Sequence, residues 1–325
     1  LCPRAASDPR ARGAVRGVGA MGGPDRLFPR RANPPCRGAG AALGDGRAAG
    51  TPRSRGGLVR RAPAPSRRRC RRAALPEYAR PGGAERHRRR LRNAARFADA
   101  ILVNSQATAR AVEPYLAAAG RRPALLVAPL GIEPRFAPAE AGVTAAPPYF
   151  LCLGTIEPRK NHLLLLQIWR AMAERSPGTI PKLILAGRRG WENENVVDLL
   201  DRCPALQTCV VEAGRVGDHE LAALIAGARA VLMPSFAEGF GLPVAEALTA
   251  RVPVIASDIA VLRETGGAVP DYLDPLDGPG WIRAVQDYAR PDSPMRAAQM
   301  QRMAGWSAPN WDAHFAQVLP FLDAL

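Results

Sequence analysis

The sequence predicts an α/β protein in which helices cover both faces of a parallel sheet. From about residue 148 onward, short apolar segments of strand length alternate with segments of helix length, which is typical of parallel sheets. Residues 85–131 contain the same alternation in a shorter form. No apolar run in the 325 residues approaches the roughly 18 that a membrane-spanning helix needs.

The first ordered elements are expected near Leu75. The sequence ERHRRRLRNAARFADA predicts a basic helix, and AILVN predicts a short strand. A second helix, over SQATARAVEPYLAAAG, would be capped by Ser105 and end before Gly120. ALLVAPLGI predicts another strand, which completes a β-α-β unit, and the Pro- and Ala-rich residues 131–148 predict a linker.

Beyond the linker, strands and helices alternate regularly. The predicted strands are Tyr149–Leu153, Lys182–Ala186, Thr208–Glu212, Ala230–Met233 and Val252–Ala256. The predicted helices are Asn161–Ala173, Glu194–Asp201, Asp218–Ala226, Pro243–Ala250 and Ile259–Thr265, and a helical tail runs from Ser293 to Leu325 with a break near SAPN. Ligands of such sheets bind beyond the carboxyl ends of the strands, so the loops after the strands are the candidate sites.

The N-terminal quarter is unlike the rest of the chain. The net charge is +16, yet residues 1–92 hold 24 arginines and 5 acidic residues, whereas residues 93–325 hold 21 basic and 24 acidic residues. Residues 1–74 are rich in Arg, Pro, Gly and Ala without apolar periodicity, and we expect them to be disordered. Because the chain starts with Leu and uses Arg far more than Lys, we interpret this segment as a truncated or frame-shifted start. A transit peptide and a nucleic-acid-binding arm are the alternatives.

The six cysteines do not show the spacing of a metal or redox site. No pair forms a CxxC motif, and Cys152 and Cys209 lie in apolar, strand-like runs. We expect them to be small buried hydrophobic residues in a reducing compartment.

The loop LGTIEPRKNH, after the strand at 149–153, is the first candidate site. Gly154 permits a tight exit from the strand, and Arg159 and Lys160 stand at the start of a helix, where backbone amides already favour anions. Lys160 is one of two lysines in an arginine-rich chain, so composition does not explain it. The loop predicts a phosphate or diphosphate site; a pair of solvated surface charges is the alternative.

The stretch SFAEGFGLPVAEAL is the second candidate site. Gly239 and Gly241 let a ligand approach the backbone closely, and the amides of Gly241 and Leu242 would point from a helix start towards an anion. Glu238 and Glu246 flank these amides, and carboxylates accept hydrogen bonds from sugar hydroxyls. A ligand that contains both a diphosphate and sugar rings fits this arrangement, although Glu246 could simply favour the helix dipole.

The stretch ASDIAVLRE is the third loop, and it is the least specific. Asp258 lies between a strand and a helix. We interpret it as a helix N-cap rather than as a ligand-binding residue.

Together these motifs resemble glycosyltransferase family 4, the retaining enzymes of GT-B fold. The resemblance rests on GTIEPRKNH, PSFAEGFGLPVAEAL and VPVIASDIAVLRETGG in this order, and also on VNSQATARAV, VAPLGIEPRFAP, GRVGDHELAALIAGARAVLMPSF and DYLDPLD. It implies two Rossmann-like domains that face a cleft. A nucleotide-sugar donor would bind to the second domain and an acceptor to the first.

The resemblance also assigns roles to residues. It implies that Arg159 and Lys160 hold the diphosphate and that Glu238, first of an E-x7-E pair, contacts the donor sugar. The backbone of Gly239, Phe240 and Gly241 would face sugar and phosphate, Leu242 would offer an amide to phosphate, and Glu246 would hold the ribose. Arg215 and Val216 would lie at the base, and Gly154 would line the donor site. No metal or other cofactor is expected.

Two departures from the family are visible. Arg251 stands where the family usually has Gly, which would restrict that turn. The glycine-rich first loop and the His near the reacting sugar are missing before VNSQATARAV, since His87 lies amid arginines. We therefore expect residues 75–145 to be a remnant of the acceptor-side domain, residues 146–308 a complete donor domain, and residues 309–325 a helix that crosses back.

The sequence thus predicts a retaining, metal-independent glycosyltransferase with a nucleotide-sugar donor and a saccharide or lipid-linked acceptor. We expect it in the cytoplasm, with possible contact with the inner membrane face and no nucleic-acid partner. An inactive donor-binding remnant is the main alternative, and a nucleic-acid-binding protein that uses its Arg-rich arm is another.

Overall fold

The computed structural model of the protein describes residues 76–80, 82–136, 148–176 and 180–325. The segment 1–74 and most of the linker lie outside these residues. The described part contains a two-stranded and a six-stranded sheet, and the strands of both pair in parallel. The predicted α/β class is confirmed.

Residues 82–127 form the predicted helix followed by a β-α-β unit. The elements are α1 (Gly83–Phe97), β1 (Ala100–Val103), α2 (Gln106–Ala119) and β2 (Ala124–Val127). As predicted, the Ser105 hydroxyl caps α2 by accepting a hydrogen bond from the amide of Thr108, and Gly120 ends it in the left-handed conformation. Leu91, Ile101 and Val112 are buried in a small core between these elements.

The larger sheet has the strand order β5-β4-β3-β6-β7-β8. Its strands are β3 (Tyr149–Leu153), β4 (Lys182–Ala186), β5 (Val210–Gly214), β6 (Ala230–Met233), β7 (Val254–Ser257) and β8 (Asp271–Leu273). The helices between and after them are α3 (His162–Arg175), α4 (Glu194–Arg202), α5 (Pro204–Gln207), α6 (Asp218–Ala226), α7 (Leu242–Thr249), α8 (Ala260–Gly266), α9 (Gly278–Ala289), α10 (Pro294–Met303) and α11 (Trp311–Asp323).

Two strands begin two residues later than predicted, and local hydrogen bonds explain both shifts. The amide of Cys209 closes a turn onto the carbonyl of Leu206, so β5 begins only at Val210. The amide of Val252 bonds the carbonyl of Ala247, and Pro253 has no N–H to donate, so β7 begins at Val254.

The core of the larger unit lies between the sheet and helices α3 and α9. Trp169, Trp281 and Tyr288 are fully buried there. Each indole N–H finds a backbone acceptor, Pro181 for Trp169 and Asp274 for Trp281. Burial of one such aromatic side chain contributes up to about 3 kcal/mol, so this layer fixes the sheet that positions the loops.

Two details of the loops differ from the sequence-based interpretation. The predicted cap at Asp258 is wrong: Ile259 precedes α8 without a side-chain cap, and the Asp258 carboxylate accepts hydrogen bonds from the Arg263 guanidinium instead, one of them at 2.8 Å. Arg251 adopts the left-handed conformation (φ 58°) that usually favours glycine. Its guanidinium donates to the carbonyl of Met303 at 2.6 Å, which helps to hold this conformation.

The last helix contacts the end of the smaller unit. The His314 ring lies 2.7 Å from the carbonyl oxygen of Pro129, and the amide of Ile132 donates to the carbonyl of Pro309. The Trp311 indole donates to Glu133. None of the helices in the described ranges is both long and apolar enough to cross a bilayer.

Candidate functional site

A cavity of about 790 Å³ opens at the carboxyl ends of strands β3, β5 and β6. Every site residue that the sequence singled out lines it: Gly154, Arg159, Lys160, Arg215, Val216, Glu238, Gly239, Phe240, Gly241, Leu242 and Glu246. Residues 76–136 contribute Tyr78, Asn104 and Leu130 to the same wall. The first two loops of the sequence interpretation therefore border one cavity, whereas no residue of the third, ASDIAVLRE, lines it.

A buried cluster of charges forms the floor of the cavity. Lys160 Nζ lies 2.6 Å from Glu238 Oε1, and an Arg159 guanidinium nitrogen lies 3.0 Å from Glu238 Oε2. A second nitrogen of Arg159 lies 2.5 Å from the carboxylate of Glu157, and the Ser235 hydroxyl donates to Glu238 at 2.8 Å. Two cations thus face two carboxylates, and all four side chains are at least seven-eighths buried.

The cluster fixes the ionisation state of Glu238. Burial alone would raise the pKa of this carboxyl, but the charges of Lys160 and Arg159, with hydrogen bonds from Lys160 and Ser235, lower it to about 2. Burial would likewise lower the pKa of Arg159, yet the charges of Glu238 and Glu157 outweigh it and raise this pKa. Glu238 is therefore an anion that can accept hydrogen bonds but cannot donate a proton at neutral pH.

Two backbone features of the loop after β3 place Arg159 and Lys160 at the floor of the cavity. Gly154 has φ 127°, and a Cβ at this position would lie 3.0 Å from Lys160 Cε, so glycine leaves room for the lysine stem. Arg159 and Lys160 lie in a single 3-10 turn, Pro158–Lys160, immediately before α3. Asn161 then donates to the carbonyls of Pro234 and Pro275, which ties this turn to the loop after β6.

The loop after β6 offers backbone donors to the cavity. Gly241 has φ 90° and precedes α7, whose first residue is Leu242 rather than the predicted Pro243. In the described part of the chain, the amides of Gly239, Phe240, Gly241 and Leu242 donate a hydrogen bond to no acceptor. Successive unpaired amides before a helix form an anion-binding surface.

The remaining predicted residues lie nearer the rim. Arg215 is exposed and Val216 half-buried directly after β5, and Glu246 is half-buried on α7. Arg188 is a further exposed cation on the cavity wall. The sequence analysis did not single it out, although its place just after β4 is a signal that could have found it.

A family model decides what kind of domain carries this cavity. Residues 147–286 match the model of the glycosyl transferases group 1, and this range holds most of the cavity lining. This part of the chain resembles the group 1 glycosyltransferases. The predicted resemblance is confirmed at this level, while membership of family 4 stays a prediction.

Several curated glycosyltransferases are similar to part of the chain. O-antigen chain mannosyltransferase B of Escherichia coli is 40% identical over 129 residues, 40% of this chain and 33% of that protein. An O-antigen chain mannosyltransferase of Salmonella typhimurium is 33% identical over 144 residues, 43% of this chain and 38% of that protein. The matches therefore span well under half the length of these relatives.

Solved glycosyltransferase structures share the fold. A structure of Anabaena HepE in complex with UDP and glucose gives a TM-score of 0.62 at 21% identity, over 77% of this chain and 69% of that one. Sucrose-phosphate synthase from Thermosynechococcus elongatus gives 0.56 at 22% identity, over 74% and 61%. The GT-B fold predicted from the motifs is confirmed.

The β-α-β unit contacts the loop after β6. The Ser105 and Thr108 hydroxyls lie 2.9 Å and 3.1 Å from the carbonyl oxygen of Gly239. The carboxylate of Glu264, on α8, accepts hydrogen bonds from the amides of Gln106 at 2.6 Å and Ala107 at 3.1 Å. The motifs VNSQATARAV and VLRETGG thus meet at the start of α2.

Sequence reasoning missed the residues that make these contacts and the partners of the buried charges. Ser105 was predicted only as a cap, and Asn104, Thr108, Glu157, Ser235 and Glu264 were not singled out. The signal available for Glu157 was its place two residues before Arg159. The contacts of Ser105 and Glu264 join residues more than 130 positions apart, so only the folded chain reveals them.

Proposed function

We propose that the protein transfers a sugar from a nucleotide-diphosphate donor to a hydroxyl group of a saccharide or lipid-linked saccharide acceptor. The observation that carries this proposal is the floor of the cavity, where Arg159 and Lys160 converge on Glu238 beside the amides of Gly239–Leu242. A diphosphate needs cations and amide donors, and a sugar needs a carboxylate that accepts from its hydroxyls. Both requirements meet in one cavity.

The chemistry follows from where charge develops. As the acceptor oxygen bonds to the anomeric carbon, the bond from that carbon to the diphosphate oxygen breaks, and the hydroxyl proton passes to the departing phosphate. Arg159, Lys160 and the loop amides stabilise the charge on the leaving group. This role needs no metal ion, and attack from the side of the leaving group retains the anomeric configuration.

The ionised Glu238 acts by positioning the donor sugar. Its Oε1 atom accepts from Lys160 and Ser235, and its Oε2 atom accepts from Arg159 alone and so retains capacity for a sugar hydroxyl. A depressed pKa suits an acceptor of hydrogen bonds and does not suit a general acid. Glu246 holds the ribose, and Arg215 and Val216 contact the base.

Mannose is the sugar that we propose. Both curated relatives described above are named mannosyltransferases. We also propose an acceptor within glycan biosynthesis, a cytoplasmic location with peripheral membrane contact, and no nucleic-acid partner.

The test is donor turnover measured by proton NMR. The protein is incubated with GDP-mannose or, separately, UDP-glucose, and the sugar released to water is followed. The expected result is slow release of free nucleotide from one donor, with the α-anomer of the sugar appearing first. The α-anomer marks retention because both donors are α-linked; first appearance of the β-anomer would overturn retention.

A matched pair of variants ties the turnover to the cavity. Arg159→Ala with Lys160→Ala should abolish release, whereas Arg170→Ala with Arg175→Ala removes two exposed charges from the far end of α3 and should not change it. Absence of turnover with both donors in the folded wild type would overturn the enzymatic proposal in favour of a donor-binding protein.

A further inference from the structure

Among the described residues that line the cavity, Asn104 is the one with a buried polar side-chain atom that lacks a hydrogen-bond partner. It follows β1, lines the cavity and is 4% exposed. Its Oδ1 atom is enclosed and has no hydrogen-bond partner in the described part of the chain. A buried polar atom without a partner costs about 1–3 kcal/mol of folding free energy. Such an atom in a cavity wall therefore indicates that a bound ligand supplies the hydrogen bond.

The position of Asn104 indicates which part of a ligand it meets. The next residue, Ser105, holds the carbonyl of Gly239 at 2.9 Å, so Asn104 flanks the loop that carries Glu238. It also lies at the carboxyl end of its own strand, where ligands of parallel sheets bind. Asn104 therefore borders the same cavity as Arg159 and Lys160, but from the β-α-β unit.

The chemistry of the amide oxygen excludes a phosphate as its partner. An amide oxygen only accepts hydrogen bonds, and a phosphate oxygen at pH 7 has no proton to donate. A sugar hydroxyl can donate. The last side-chain torsion of asparagine is broad, so rotation of the amide can bring the enclosed Oδ1 towards a hydroxyl in the cavity.

We propose that Asn104 accepts a hydrogen bond from a hydroxyl of the donor sugar, and is therefore a sugar-contacting residue supplied by the β-α-β unit. This inference rests on the proposed function. It means that the sugar contacts both Glu238, from the loop after β6, and Asn104, from the β-α-β unit.

The test is titration calorimetry of Asn104→Ala against a nucleotide and its sugar conjugate. GDP is paired with GDP-mannose, and UDP with UDP-glucose; the pair that the wild type binds is used. Loss of one uncharged hydrogen bond predicts a three- to tenfold weaker affinity for the conjugate and an unchanged affinity for the free nucleotide. Asn195→Ala is the same change at an exposed position of α4, and it should alter neither the affinity for the conjugate nor the affinity for the free nucleotide.

Thermal unfolding of the ligand-free variants separates this role from a structural one. Asn104→Ala removes an atom that has no partner, so its melting temperature should not fall below that of the wild type. Equal weakening of nucleotide and conjugate, or an unchanged affinity for the conjugate, would overturn the assignment of Asn104 alone. A wild type that binds neither nucleotide would overturn the proposed function and this inference with it.

Discussion

Lys160 and Glu238 form an ion pair of 2.6 Å beneath the cavity, although 78 residues separate them in the chain. Arg159 contacts the same carboxylate, so the two candidate diphosphate-binding residues are already held by an internal anion. The carboxylate balances the charges of both cations. This relationship governs the first prediction.

Replacement of Glu238 by Gln should lower stability and increase the response to nucleotide. Two buried cations lose their shared counter-charge, and breaking a buried pair in this way costs about 3–5 kcal/mol. A bound diphosphate restores the negative charge, so GDP should raise the melting temperature of Glu238→Gln by more than it raises that of the wild type. Differential scanning fluorimetry with and without GDP measures both effects.

A surface pair provides the control for this experiment. Glu174→Gln breaks an exposed i,i+4 pair with Arg170, which is worth less than about 0.5 kcal/mol, and should change neither stability nor the response to GDP. A smaller GDP-induced shift in Glu238→Gln than in the wild type would show that the carboxylate does not take the place of a diphosphate.

The ion pair of Lys160 and Glu238 shows what the sequence could and could not predict. The order of most strands and helices, the cap at Ser105 and many residues of the cavity wall follow from periodicity and from motifs, which are local; β8, α9 and the wall residues Asn104 and Arg188 were not predicted. The pairing of Lys160 with Glu238 depends on β3 and β6 lying side by side, and adjacent strands of a parallel sheet need not be adjacent in sequence. Asp258 failed as a cap because Arg263, five residues away, offered a stronger partner.

His162 should make stability depend on pH between about 5 and 6.5. It is 2% exposed on α3, and burial, assisted by the charges of Lys160 and Arg159, lowers its pKa to about 3. An unfolded histidine binds a proton near pH 6.5, so the unfolded state gains protons that the folded state does not, and stability falls as pH falls below 6.5. Glu238 adds to the loss only below about pH 4.3, as pH falls towards its folded pKa of about 2.

His162→Leu isolates this effect. The wild type should lose up to about 2 kcal/mol of unfolding free energy between pH 6.5 and pH 5, and the variant should lose much less. Urea denaturation at the two pH values measures the difference. Equal losses in both proteins would show that His162 is protonated in the folded state or is not the group responsible.

Glu264 should stabilise the start of α2 from another element. Its carboxylate accepts from two amides that the helix itself leaves unpaired, and loss of such a cap costs about 0.5–2 kcal/mol. Glu264→Gln should therefore lower the urea midpoint by a corresponding amount. Glu220→Gln, which changes an exposed glutamate on α6, should have less effect on the midpoint. Equal midpoints for Glu264→Gln and the wild type would contradict the capping role.

Titration calorimetry of GDP and UDP with Arg159→Ala/Lys160→Ala tests the central claim most directly, because the claim is that these two cations bind a nucleoside diphosphate. Variants that remain folded by circular dichroism are compared with the wild type and with Arg170→Ala/Arg175→Ala. We expect the nucleotide that the wild type binds to lose at least about 100-fold in affinity when both cavity cations are removed, and to bind the control as it binds the wild type. An unchanged affinity in Arg159→Ala/Lys160→Ala would contradict the diphosphate site and the function proposed from it.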